Sequence, residues 1–310
     1  MKGPAFVKPM KAVLTDAPFS DPHWVFERKL DGIRCVAVKS RGSVRLWSRN
    51  ELSLDGRYPE LVEALRRDPA DDFVIDGEVV AFAGANTSFA RLARRGHERV
   101  AIHLYAFDVM WLGGRDTRAL PLRERKRLLR GALGWGGALR TCPYRNGSAG
   151  EAMFAEACRN GWEGLIAKRA DSVYTSARSR DWLKVKCSAE QELVVGGFTA
   201  PKGSREELGA LLVGHFEDGR LRYAGKVGTG FDRATLRDLA GRLRPLRRDQ
   251  SPFEGAELRG RDTTWVDPEL VVQVGFSEWT RDGRLRHPRF LGVREDKDAR
   301  EVVRERAAPR

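Results

Sequence analysis

Hydrophobic patterning changes character once along this chain, after Cys187, and that change limits the folds open to it. Upstream, strand-like runs at residues 36–38, 44–47, 73–82 and 103–110 alternate with helical spacing at 58–67, 121–129 and 149–160. Pro121 suits a first helical turn, and Gly161 suits a stop after the last of these helices. The order is mixed α and β without regular βαβ repetition. Downstream, residues 192–198, 210–216, 221–227 and 270–276 read as short strands between glycine-rich turns, with one helix at about 233–243. A five-stranded β-barrel of the oligonucleotide-binding (OB) kind accommodates that spacing. The expected class is therefore α+β in two domains, 1–187 and 188–310, with the boundary at Ser188-Ala189-Glu190 and a frayed tail at 304–310.

Length and composition are compatible with that division. A chain of 310 residues with 41% hydrophobic content can bury two cores. No run of about 18 apolar residues is present to span a bilayer, and the N-terminus lacks the apolar stretch of a secretory signal, so a cytoplasmic address without membrane association is expected. Cys35, Cys142, Cys158 and Cys187 form no C-x-x-C pair, so neither a zinc site nor a disulfide framework is expected, and a reducing compartment suits them. The formal charge of +13 favours a polyanionic partner, nucleic acid first, because lysines and arginines that neutralise phosphates release condensed counterions.

Several charged residues sit where an ordinary core would not put them. Asp76 and Glu78 lie two apart in an apolar strand, hence on one face, where a ribose hydroxyl or a divalent cation would use them. In Trp182-Leu183-Lys184-Val185-Lys186, Leu183 and Val185 face one side while Lys184 and Lys186 face the other. Two ammonium groups side by side repel unless an anion such as a nucleotide phosphate lies between them. Glu163 and Lys168 bracket a further apolar run, and Phe107 is either a core ring or a stacking surface for a base. Lys29, just before the Asp31-Gly32 turn, is by itself an exposed lysine; buried beside cations it would have a depressed pKa and act as a nucleophile.

In order along the chain, Lys29-Leu30-Asp31-Gly32, Ser48-Arg49-Asn50, Asp76-Gly77-Glu78, Phe107-Asp108-Val109, Glu163-Gly164-Leu165-Ile166-Ala167-Lys168 and Lys184-Val185-Lys186 resemble the successive motifs of covalent nucleotidyltransferases. The segment Arg286 to Lys297 is similar to the last motif of ATP-dependent DNA ligases. The resemblance covers nearly the whole chain and points to the ligase module of bacterial ligase D and related stand-alone bacterial ligases. It implies a nucleotidyltransferase (adenylation) domain followed by the OB-fold, with no polymerase or phosphoesterase module and no added N-terminal DNA-binding domain.

By that resemblance Lys29 attacks the α-phosphate of ATP to form a lysine-AMP, and the adenylate passes to the 5′-phosphate of a nick for attack by the 3′-hydroxyl. It places Glu27 beside the adenine, Phe107 stacked on it, and Arg34, Arg49 and Glu78 at ribose or phosphate. Glu78 and Glu163 bind Mg2+ or Mn2+, Lys168 lies in the nucleotide pocket, and Lys184 and Lys186 neutralise the α-phosphate. Arg294 and Lys297 orient pyrophosphate when the barrel closes. Nicked or broken double-stranded DNA is the implied partner, with a bacterial Ku-type end-binding protein another, and the chain is expected to be a monomer. An RNA-capping guanylyltransferase or RNA ligase is the enzyme rival, and a DNA-binding module with a decayed pocket the non-enzymatic one.

Overall fold

The computed structural model describes residues 3–15, 17–96, 98–187, 189–201, 207–255 and 262–306. The chain divides into two compact units, Met1–Cys187 with Arg306–Arg310, and Ser188–Glu305. Ser188, within the expected boundary, lies outside the described residues, as does 307–310 of the expected tail. Among the described helices none is long and apolar enough to cross a membrane.

The principal elements of the first unit, in chain order, are β1 (Lys11–Leu14), β2 (Trp24–Arg28), β3 (Ile33–Ser40), β4 (Ser43–Trp47), α1 (Pro59–Arg67), β5 (Phe73–Ala83), α2 (Phe89–Ala93), β6 (Ile102–Leu112), α3 (Leu122–Arg130), β7 (Leu139–Thr141), β8 (Tyr144–Asn146), α4 (Gly150–Arg159), β9 (Gly164–Arg169) and β10 (Arg178–Lys186). One sheet has the order β1-β10-β9-β2-β8, and a second runs β4-β3-β5-β6 with β7 parallel beside β6. The first sheet is antiparallel except where β1 runs parallel to β10. A large core under α1, α2 and the end of α3 contains Ile33, Tyr58, Leu61, Phe73, Phe89 and Leu104. Between the two sheets lies a smaller cluster that includes Val36, Val74, Phe107, Tyr174 and Trp182. Period-two alternation sorts the first sheet: Phe26, Leu165, Ala167 and Leu183 pack against Met153 and Ala157 of α4, leaving the opposite face for polar chemistry.

That packing corrects the reading of the cysteines. Cys158 and Cys187 form a disulfide across a sequence separation of 29, with Cα atoms 5.2 Å apart. Sequence distance says nothing here, because α4 returns across the sheet and its last turn meets the end of β10. Cys35 and Cys142 are buried thiols.

The second unit contains β11 (Ala189–Thr199), β12 (Leu211–Glu217), β13 (Arg220–Val227), α5 (Arg233–Leu243), β14 (Thr263–Val266), β15 (Val271–Phe276) and β16 (Arg289–Val293). β11 is shared: residues 189–194 pair with β15, while its far half pairs with β12 and β14. The register shifts between Val195 and Gly197, where a Cβ on Gly196 would meet Phe253 at 2.5 Å, so the bend needs glycine. The curled sheet counts seven strands among the described residues, more than the five expected, because Arg247–Arg248 and β14 add to its edge. Asp232 caps α5 by accepting from the Thr235 amide. The tail is not frayed where it is described: the Glu305 amide donates to Gln191, and the Arg304 guanidinium lies 4.4 Å from the Trp279 ring.

Candidate active site

Antiparallel register assembles the site on one face of the first sheet. Ile166 of β9 lies opposite Glu27 of β2 and Lys184 of β10, Lys168 opposite Val25 and Trp182, and Gly164 opposite Lys186. Residues directly opposite one another share a face, so Glu27, Lys168, Trp182, Lys184 and Lys186 all face away from α4. Gly164 is forced: its φ is +148°, and a Cβ there would meet the Val185 carbonyl at 2.0 Å. The Gly164 carbonyl accepts from the Lys29 amide at 2.9 Å, which sets the lysine just past the end of β2.

Lys29 Nζ lies 2.5 Å from Glu163 Oε1, with the lysine side chain 20% exposed and the glutamate 7%. Burial works to lower the lysine pKa, but the charge and hydrogen bond of Glu163, with Asp31 and Glu78 further away, outweigh it and raise it above the ordinary value. This reverses the expected depression, because the nearest charges are acids rather than Lys184 and Lys186. Lys29 is thus held as an ammonium, reachable from solvent.

Deeper in the face, Glu27 is 2% exposed and faces two lysines. Its Oε1 contacts Lys126 Nζ, and its Oε2 lies 2.9 Å from Lys168 Nζ. Both approaches are close but off the hydrogen-bond direction: neither Glu27 Oε1 nor Lys168 Nζ has an aligned hydrogen-bond partner among the described residues. Lys168 Nζ sits 4.2 Å from the Phe107 ring and 4.0 Å from the Trp182 ring. Burial lowers its pKa, with repulsion from Lys126 adding and Glu27 opposing.

Lys126 was not among the expected residues. Burial works against its charge too, but Glu27 prevails and its pKa is raised. It comes from α3, whose buried stripe is Leu122, Arg125, Lys126 and Leu129. Two cations on the inward stripe of a helix were the available signal. Its neighbour Arg125 is fully buried and grips Asp108 of β6 through both carboxylate oxygens, at 2.8 and 3.0 Å.

The remaining expected residues are arranged as follows. Arg34 makes a two-pronged ion pair with Asp76, both contacts 2.5 Å, and lies 4.7 Å over the Phe107 ring. Tyr174 donates to the same Asp76 at 2.5 Å. Glu78 is paired across the strands with Arg34. Arg49 Nε is buried and has no hydrogen-bond partner among the described residues. In the second unit, Arg294 is held by Asp296 at 2.8 and 2.9 Å, and Lys297 Nζ lies 2.8 Å from Glu192. Among the described residues no three His, Cys, Asp or Glu side chains converge on a metal site.

A lysine flanked by acids and cations on this face, with an OB-like unit following in the chain, fits the nucleotidyltransferase class. Residues 5–186 match the ATP dependent DNA ligase domain and 204–297 the ATP dependent DNA ligase C terminal region, so the chain belongs to the ATP-dependent DNA ligase family. It is 40% identical over 94% of its length to the multifunctional non-homologous end joining DNA repair protein LigD of Mycobacterium tuberculosis. It is 38% identical over 98% of its length to the LigD protein of Pseudomonas aeruginosa. It spans 39% and 37% of these relatives, respectively. A solved mycobacterial DNA ligase D, complexed with ATP and MES, superposes with a TM-score of 0.70 at 36% identity, covering 96% of this chain and 98% of that one. The ligase domain of M. tuberculosis LigD gives a TM-score of 0.51 at 37% identity over 96% of this chain and 98% of that one.

Proposed function

We propose that this chain joins 5′-phosphate and 3′-hydroxyl ends of nicked or broken duplex DNA through a lysine-AMP intermediate on Lys29. The observation that carries the reading is the Lys29–Glu163 pair, placed by Gly164 at the rim of the face that also holds Glu27, Lys168, Lys184 and Lys186. Lys29 Nζ, once it has given up its proton, forms the N–P bond to the α-phosphorus of ATP as the bond to pyrophosphate breaks. The 5′-phosphate of the nick then takes the AMP, and the 3′-hydroxyl displaces it. Each step is substitution at phosphorus, in which positioning and charge neutralisation dominate.

The chain's own residues divide these tasks. Lys184 and Lys186 supply positive charge for the α-phosphate, and Arg49, with its buried Nε, supplies a donor for ribose or phosphate. Glu27 and Lys168 recognise the base edge: a lysine donor seeks an acceptor, which adenine offers at N1 where guanine carries a hydrogen. Phe107, already bearing Arg34 on its ring, forms the aromatic wall. Glu78 and Glu163 suit Mg2+ or Mn2+, which takes one or two carboxylates and completes its shell from phosphates and water; both acids already act on Lys29. That cation would neutralise phosphate charge. Arg294 and Lys297 serve pyrophosphate departure after exchanging Asp296 and Glu192 for phosphate. The charge of +13 supports DNA as the polymer bound. End joining is the pathway suggested by the names of the LigD relatives, and within it the chain would act as a monomer in the cytoplasm beside a Ku-type end-binding protein.

The test incubates the protein with magnesium and ATP or GTP labelled at the α-phosphate, then adds nicked DNA. Covalent label from ATP that moves to DNA is expected. Label from GTP alone would favour the capping enzyme, and label that fails to attach would sink the mechanism.

A further inference from the structure

We infer that Lys126 is a positioning residue for base recognition: by holding Oε1 of Glu27 it fixes that carboxylate, and with it Lys168 2.9 Å from the other oxygen, in the place where the two meet the adenine. This rests on the reading of Glu27, Lys168 and Phe107 as the base pocket. Lys126 touches both lips of that pocket, contacting Glu27 on β2 and donating to the Phe107 carbonyl on β6 at 3.0 Å. Its ammonium also lies 4.9 Å from the Tyr144 ring, so its position is fixed from three sides. The helix that carries it is locked in turn by Arg125, which grips Asp108 and donates to the Leu120 and Ser172 carbonyls at 2.5 and 2.8 Å. At 3% exposure Lys126 reaches neither solvent nor the rim where Lys29 sits, so it acts on the base through Glu27 and Phe107 alone.

The argument is one of stoichiometry. A single buried carboxylate with a single buried lysine closes into a tight pair, and separating it to admit a base leaves two uncompensated charges, which is costly. A second lysine on the far oxygen changes this. Glu27 keeps an ion-pair partner on Oε1 whether or not a base is present, while Lys168, 2.9 Å from Oε2 without an aligned hydrogen bond, lies between Phe107 and Trp182. Because the base is remote from the reacting phosphate, loss of Lys126 should weaken ATP capture more than the chemical step.

The experiment measures the ATP dependence of self-adenylation of the full chain carrying K126M, K126R, E27Q or E27Q with K126M, with a thermal melt for each. K126M is expected to raise the KM for ATP about tenfold, the scale of one charge-assisted hydrogen bond, while maximal rate changes far less. Discrimination against GTP should narrow, K126R should recover part of the loss, and the double variant should raise KM by clearly less than the product of the two single effects because the two residues act together. An unchanged KM in K126M beside a raised KM in E27Q overturns the inference. So do multiplicative KM effects in the double variant, a comparison that holds even where K126M melts lower. If E27Q and K126M both leave KM unchanged, the base-pocket reading itself fails.

Discussion

Two lysine–glutamate clusters on one sheet face behave in opposite ways. At the rim, Lys29 has Glu163 to itself, with Asp31 and Glu78 behind it, and its affinity for a proton is raised. In the depth, Glu27 serves two lysines, and the one left poorly aligned, Lys168, has its affinity lowered by burial. Burial is common to both, so the sign follows whether the neighbouring acid outweighs it: Glu163 does so for Lys29, as Glu27 does for Lys126, while Glu27 does not for Lys168. On the proposed reading the same contrast separates the tasks: the rim would keep a nucleophile in reserve as an ammonium, and the depth a donor for a neutral ring. It also sets opposite stability signs at alkaline pH. The Lys29 pair contributes fully below the ordinary lysine pKa and is lost as pH rises through its raised folded value. Lys168 costs stability in full below its lowered folded value, and the cost is relieved as pH rises from there to the ordinary lysine pKa.

The largest expected effect falls on the rim. Lys29→Ala should abolish covalent labelling from α-labelled ATP, while ATP binding measured by calorimetry persists, because the base end is untouched. Labelled protein in this variant would move the nucleophile elsewhere and dissolve the comparison. A smaller effect sharpens it. Glu163→Gln removes the acid that holds Lys29 protonated, so the reaction of Lys29 with an amine-directed acylating reagent, followed by peptide mass mapping without metal or ATP, should reach half its plateau at lower pH than in the wild type. An unmoved half-point would mean that Glu163 does not set the lysine's protonation.

Much of this was legible beforehand because period and punctuation are local. The expected strands at 73–82 and 103–110 correspond to β5 and β6, and the alternation of Trp182 to Lys186 sorts Leu183 toward α4 and the lysines away from it. What escaped is set by tertiary register. The sign of the Lys29 shift depends on Glu163, 134 residues away, coming within 2.5 Å. Lys126 was hidden in Leu122-Arg123-Glu124-Arg125-Lys126-Arg127, where five of six residues are charged and the sequence alone does not tell an inward lysine from a solvated one. The Cys158–Cys187 bond escaped for a similar reason, since only the return of α4 brings the two together.

That disulfide supplies the smallest expected effect on the chemistry. It braces the rim alone: Cys187 donates its amide to the Glu163 carbonyl at 2.9 Å, and Cys158 at the end of α4 is exposed to reductants. Closing a loop of 29 residues corresponds to at most about 3.5 kcal/mol of stabilisation in the chain-entropy treatment. Cys158→Ser, or reduction of the wild type, should therefore lower the denaturant midpoint toward that limit. The Glu163 side chain remains beside Lys29 in either case, placed by the pairing of β9 with β2 and by Gly164. The pH half-point of Lys29 acylation and the KM for ATP should accordingly stay near their wild-type values. If the half-point instead falls as far as in Glu163→Gln, the rim contact owes its geometry to the covalent brace rather than to the sheet. The two clusters would then differ in what holds them together as well as in how strongly each acid acts on its lysine.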